Sequence, residues 1–413
     1  MRLFGSLPVW SLALALAACT NVPPNGPVAT NPFLEDLVDD DKADTGYHNP
    51  DGIEVEVDLE SDIDLTGGDR SLGPARLGEF ALTYLRKRGH FYLESLAEDA
   101  SSDDRVEWLV NDNWITAAKA ENVSSAKLNH FRIRGMNAVL LLKDRKLAKE
   151  GAVYQATVPV RPFDMMSQAG KTCAERDEHL ALEESLYWYL WDPDRSACKV
   201  ETQEMTVTVS KLLPQGHTTY PEYDRLIADG KVTAVILFGQ YGDDPLSKKD
   251  EGFQNLDDMV DWLTEADFEE ANDAPVGRRF AKEISGVTLE IDLYSPRDFT
   301  GGGDEQNFDN FQLALTEHEI VVYDGHSTLG ESDFWARPTY PDNYQIFLYG
   351  GCLGYQYYIR PILNGKKSWA NVDIVSSVIE VTATANEFAG PFLARLSWAL
   401  AHQYRGTWQS IMK

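Results

Sequence analysis

The chain has 413 residues, 43% of them hydrophobic and 25% charged, enough for two or three domains with cores of their own. Its 37 Lys plus Arg stand against 66 Asp plus Glu, a net charge of −29. That charge repels phosphate backbones, so nucleic acid is excluded as the expected partner, and no basic patch is left to hold an anionic membrane surface.

The chain opens with Arg2 and an apolar run, Leu12 to Ala18, that closes on small residues. Residues 1–18 therefore read as a secretory signal, too short for a membrane span of roughly 20 apolar residues. The string Leu16-Ala17-Ala18-Cys19 resembles the lipobox of bacterial lipoproteins. The resemblance implies cleavage before Cys19 and diacylation of Cys19, which makes the membrane a partner through an N-terminal lipid anchor. Thr20 in the next position, rather than Asp, implies the outer membrane of a bacterial cell envelope.

Residues 19–74, with Pro23, Pro24, Pro27 and Pro32, the run Asp39-Asp40-Asp41 and Gly67-Gly68, read as a disordered acidic tether. Residues 75–212 read as a small accessory α+β domain. Its expected helices are Phe80 to Glu98 and Asp104 to Val110. An antiparallel pair is expected from His130–Leu142 and Ala152–Val160, and a further strand from Met205 to Val209. Exported proteins meet an oxidising compartment, so Cys173 and Cys198 are the expected disulfide. With Cys19 used for lipid, Cys352 is the leftover thiol and a candidate reactive group. The aromatic block Tyr187 to Trp191 reads as packing rather than as a ligand platform.

Residues 213–413 alternate short apolar strands with amphipathic helices, the pattern of a mostly parallel α/β sheet in three layers. The strands are Val232–Phe238, Val287–Leu293, Ile320–Tyr323, Tyr344–Tyr349 and Val372–Val381. The helices are Leu256–Phe268, Asp304–Leu315, Tyr355–Leu363 and Glu387–His402. Two strand ends stand out: Tyr323-Asp324-Gly325-His326-Ser327 and Tyr349-Gly350-Gly351-Cys352. Each is an apolar strand, a glycine turn and a reactive side chain. In an open parallel sheet the active crevice lies beyond the carboxyl ends of the strands, and consecutive strands usually neighbour one another. His326 and Cys352 are thus expected on one rim. A thiol of ordinary pKa near 8.5 needs a neighbouring imidazole to become a nucleophile at neutral pH.

This strand-Gly-His and strand-Gly-Cys pair, in that order, resembles the caspase-like cysteine peptidases, gingipains and metacaspases among them. The resemblance covers the last 200 residues or so. It implies Cys352 as nucleophile and His326 as general base and acid. The Ser327 and Cys352 backbone amides would form an oxyanion hole, with Gly351 in the same turn. Ser327 stands where the family usually has Gly, and Gly350-Gly351 where it usually has an acidic residue or Gln followed by Ala or Ser. A second resemblance, of Gly351-Cys352-Leu353-Gly354 to the nucleophile elbow of class I glutamine amidotransferases, lacks the downstream His-x-Glu. Asp324, Gln240 and Asp243 are expected near the rim as candidate substrate contacts. No metal motif is present in the sequence and no cofactor is expected. The expected function is an exported, lipid-anchored cysteine peptidase acting on a protein or peptide. The alternative is an inactive member of that fold serving as a binding or scaffold protein.

Overall fold

The computed structural model describes residues 52–68, 70, 72–93, 105–141, 148–166, 172–173, 191–213, 220–241, 245–327, 332–352, 354–377 and 389–411. It contains two seven-stranded sheets, each with helices packed against it. The first sheet is antiparallel in every pairing. Its strands are β1 (Gly52–Asp62), β2 (Phe91–Leu93), β3 (Val106–Val110), β4 (Asn113–Thr116), β5 (His130–Leu141), β6 (Val153–Pro159) and β7 (Thr202–Leu212). Helix α1 (Gly73–Lys87) carries Leu77, Phe80, Ala81 and Leu85 into the core beneath this sheet.

Four expectations for this region are corrected. The expected tether contributes β1, which lies between β5 and β7. Ile53, Val55, Val57 and Leu59 alternate with Glu54, Glu56, Asp58 and Glu60, so one face is apolar and buried while the other is acidic. Residues 19–51 lie outside the described residues. The helix expected to run to Glu98 ends at Lys87, because Gly89 at φ +66° turns the chain into β2. The helix expected over 104–110 is instead β3. It is joined to β4 through Asn111-Asp112, both at positive φ, the geometry of a two-residue hairpin. Further, β5 and β6 do not pair. β5 pairs with β1 and β6 with β7, so the two strands are separated by β1 and β7.

Cys173 and Cys198 form a disulfide with their Cα atoms 4.6 Å apart. Trp191 is fully buried, packs edge-on against Phe80 at 5.1 Å and donates from Nε1 to the Thr157 carbonyl. This end of the aromatic block is core packing, as expected; residues 187–190 lie outside the described residues.

The second sheet is mostly parallel. Its strands are β8 (Lys231–Phe238), β9 (Glu269–Ala271), β10 (Arg278–Ile284), β11 (Val287–Tyr294), β12 (Ile320–Asp324), β13 (Gln345–Tyr349) and β14 (Val372–Ser376). Their order is β14-β13-β12-β8-β11-β10-β9. The run from β14 to β11 is parallel, and β10 and β9 add an antiparallel edge. The β9–β10–β11 meander was not expected from the sequence. Its second turn, Ser285-Gly286 with both φ positive, is a tight two-residue hairpin.

The strands β8, β12 and β13 are buried on both faces and read as unbroken apolar runs. Their side chains divide by parity. Val235, Leu237, Val321, Tyr323, Phe347 and Tyr349 face α3 (Phe308–Glu317) and α4 (Ile359–Lys366). Ala234, Ile236, Phe238, Val322, Ile346 and Leu348 face α2 (Glu251–Glu265) and α5 (Ala389–His402). The three layers follow directly. The first of these two clusters is continuous with the core of the antiparallel sheet. Among the described residues no helix is long and apolar enough to cross a membrane.

Candidate active site

Because β8, β12 and β13 are parallel neighbours, their carboxyl ends share one rim. The β12 exit carries Gly325-His326-Ser327 and the β13 exit carries Gly350-Gly351-Cys352. The register pairs Tyr323 with Tyr349, so the two exits leave the sheet at the same height. The backbone holds them together: the Gly350 N–H donates to the Tyr323 carbonyl at 2.7 Å, and the Gly239 N–H to the Asp324 carbonyl at 2.8 Å.

Both faces of this rim are polar and specific. The His326 N–H donates to the Gln240 carbonyl at 3.2 Å, and its own carbonyl accepts from the Tyr323 hydroxyl at 2.7 Å. Ser327 is buried; its hydroxyl donates to the Cys352 carbonyl at 2.7 Å and lies 3.2 Å from the Tyr349 hydroxyl. A Cβ at position 351 would stand 2.3 Å from the Ser327 Oγ, so only glycine there lets Ser327 reach across to the Cys352 turn. His326 is exposed and Cys352 half-exposed, outside the disulfide.

The sequence-based candidates separate on this geometry. His326, Ser327, Gly351 and Cys352 lie on the same two turns, and Gln240 lies beside them as a backbone partner of His326. Asp324 does not face the rim as a substrate contact. It is 7% exposed, and its carboxylate accepts from the Tyr241 hydroxyl and, at 3.5 Å, from Asn255 Nδ2. Strand alternation explains this: Tyr323 points to the α3/α4 face, so Asp324 points to the opposite face, where Asn255 of α2 sits. Burial raises the Asp324 pKa against the lowering effect of both donors. Asp243 and Cys19 lie outside the described residues. The helix expected after Cys352 begins with a single four-residue turn, Gly354–Tyr357, so its dipole adds little at the thiol.

Three residues of this region were not anticipated. Tyr241 is held by Asp324 at its phenol and by Asp250, the N-cap of α2, at its backbone N–H. Its pKa is pushed far up, by burial first, then by the charge of Asp324, with Cys352 contributing. Tyr323 is raised in the same way, again with a contribution from Cys352. Both phenols therefore stay protonated: Tyr241 donates to the Asp324 carboxylate and Tyr323 to the His326 carbonyl. Tyr349 is raised by burial, stacked at 4.2 Å on Tyr358. The available signal was the glycine after each strand, Gly239 and Gly325, where a side chain would collide with the Tyr323 hydroxyl.

No protein-family model, curated protein or solved structure matches this chain. Among the described residues no group of three His, Cys, Asp or Glu side chains is placed to hold a metal ion.

Proposed function

We propose that this chain is a cysteine peptidase on a caspase-like α/β domain, with Cys352 as nucleophile and His326 as general base and acid. The observation that carries the reading is the joining of two adjacent parallel strand ends, one bearing His326 and the other Cys352, through the Ser327-to-Cys352 hydrogen bond. Within the parallel run, numbered by position in the chain, the strand order is 2-1-3-4-5, with the candidate dyad on strands 3 and 4. That order supports a rim at the carboxyl ends as the place of chemistry.

In the proposed reaction His326 takes the thiol proton and Cys352 Sγ attacks the carbonyl carbon of the scissile amide. The backbone N–H groups of Ser327 and Cys352 stabilise the tetrahedral oxyanion. The C–N bond then breaks, His326 returns its proton to the leaving amine, and an acyl-enzyme thioester remains. Water, deprotonated by His326, hydrolyses the thioester and restores the thiol. No step needs a cofactor. The substrate is a protein or peptide, met outside the cytoplasm if Cys19 carries the lipid anchor that its lipobox-like context implies.

The test is cleavage of a peptide library by the mature protein, compared with Cys352→Ala and with protein treated with iodoacetamide. Cleavage lost in both supports the reading. Cleavage unchanged in Cys352→Ala, or a Cys352 that alkylates only after denaturation, overturns it in favour of a binding or scaffold role.

A further inference from the structure

We infer that Tyr323 and Tyr349, two buried phenols paired across β12 and β13, are positioning residues that hold the His326 and Cys352 turns at a fixed mutual distance. The inference rests on the peptidase reading and goes beyond it, because neither phenol belongs to the dyad or the oxyanion hole.

The hydroxyl of Tyr323 is the meeting point of three loops. A Cβ at Gly239, Gly301 or Gly325 would stand 2.8, 2.7 and 2.8 Å from it. These glycines follow β8, β11 and β12, and they are separated by dozens of residues in sequence. The space they leave is filled by a phenol whose proton goes to the His326 carbonyl at 2.7 Å. His326 is thereby held at both backbone groups, since its N–H is taken by Gln240.

The Tyr349 arm works on the other turn. Ser327 has one hydroxyl proton, and the Cys352 carbonyl can only accept. The Tyr349 hydroxyl lies 3.2 Å from Ser327 Oγ, so Ser327 links Tyr349 to the Cys352 carbonyl. Both rings are locked from behind. Tyr323 and Tyr349 lie 5.1 Å apart, each packs edge-on against Trp335, and Tyr349 stacks on Tyr358. A phenol fixed by such contacts has little rotamer freedom left, so it sets the position of its hydrogen-bond partner.

The test is the pH profile of Cys352 alkylation by iodoacetamide in the mature protein, read for wild type, His326→Ala, Tyr323→Phe, Tyr349→Phe and Tyr340→Phe. Phenylalanine keeps each ring and removes only the hydroxyl. Tyr340 is the control, since its hydroxyl donates to the Trp335 carbonyl in the same aromatic layer without touching either turn. The wild-type midpoint is expected below the ordinary thiol value of about 8.5 and to return to it in His326→Ala. Tyr323→Phe and Tyr349→Phe are each expected to raise the midpoint by about one unit, a tenfold change in thiolate fraction below the midpoint. Tyr340→Phe is expected to leave it in place, although all three variants lose one buried hydrogen bond. A depressed, His326-dependent midpoint that neither Tyr323→Phe nor Tyr349→Phe moves overturns the positioning role and leaves the peptidase reading standing. An ordinary wild-type midpoint unaffected by His326→Ala overturns the peptidase reading itself. A midpoint shifted equally by Tyr340→Phe overturns the inference by showing general loosening.

Discussion

Lys366, at the end of α4, offers the sharpest stability test. It is 2% exposed, and its ammonium donates to the Pro341 carbonyl, to the Asn343 carbonyl at 2.6 Å and to Gln345 Oε1 at 2.9 Å. Gln345 in turn donates to the Leu315 and His318 carbonyls, so Lys366 fixes the entry of β13 against the element before β12. Lys366→Met keeps the length of the side chain and removes every donor. Three hydrogen bonds from a charged group are worth ~1.5–3 kcal/mol each. Against that stands the cost of burying the charge. Desolvation pushes the Lys366 pKa down from 10.5 to about 8, a penalty of ~3 kcal/mol at ~1.4 kcal/mol per unit. The net expectation at pH 7 is a loss of ~1.5–6 kcal/mol. The sign of the pH dependence is also fixed. With the folded pKa below the unfolded one, the unfolded chain binds more protons between pH 8 and 10.5, so wild-type stability from this group rises with pH through that window. Methionine cannot follow, and the gap between wild type and variant should widen by ~2 kcal/mol from pH 7 to pH 9.5. Urea unfolding of both proteins at the two pH values measures the gap. A gap that is constant with pH, or a loss at pH 7 below ~0.5 kcal/mol, would refute the reasoning.

Glu319 predicts the opposite alkaline behaviour. Burial pushes its pKa up from 4.5 to about 7 even though it accepts from the Thr233 N–H at 3.1 Å. Its contribution to stability is present below pH 4.5 and is lost as pH rises through 7. Glu319→Gln keeps an acceptor for Thr233, and should stabilise by ~1 kcal/mol at pH 8, after discounting for partial exposure, and by nothing near pH 4. Thermal unfolding at the two pH values decides it. Reduction of the Cys173–Cys198 bridge, which spans a separation of 25 residues, should cost ~3 kcal/mol on the loop-entropy account. The loss should be seen first at Trp191, whose neighbour Asp192 donates to the Cys173 carbonyl at 2.7 Å. Tryptophan fluorescence that moves no earlier than far-ultraviolet dichroism would count against that order.

What the sequence discloses depends on how local the signal is. The strands β8, β12 and β13 are buried on both faces, so their runs of Val, Ile, Leu and Phe are visible without any knowledge of partners. Strand β1 is buried on one face, and its alternate acids make the segment look like solvated chain when composition is read before period. The Asn111-Asp112 and Ser285-Gly286 turns mark hairpins that helical or spacer readings pass over. At the site, His326 and Cys352 are visible because each follows a glycine at a strand end. The fate of Asp324 is less visible. Its neighbour in sequence, Tyr323, and its partner in space, Asn255, lie on opposite faces of the sheet, and only the parity of β12 tells which face the acid takes. Gly239 and Gly325 are visible as glycines after strands, but their convergence with Gly301 on one hydroxyl is a three-dimensional fact that no single turn discloses.

The way the rim is tied down bears on what it is for. His326 is held at both backbone groups while the residue itself is exposed, and Cys352 is held at its carbonyl while half-exposed. A turn whose only duty is to close a loop gains nothing from a buried serine reaching across to its neighbour, nor from a glycine kept bare to admit that serine. A nucleophile and its base gain a great deal, since proton transfer requires approach to about 3 Å and both side chains must stay open to a substrate. Fixing the backbone at the hydrogen bonds meets the first need, and the exposure of His326 with the half-exposure of Cys352 meets the second. On this argument Gly351 is the position where the smallest change has the largest effect: a methyl group there displaces Ser327, and with it the bond that spans the two turns.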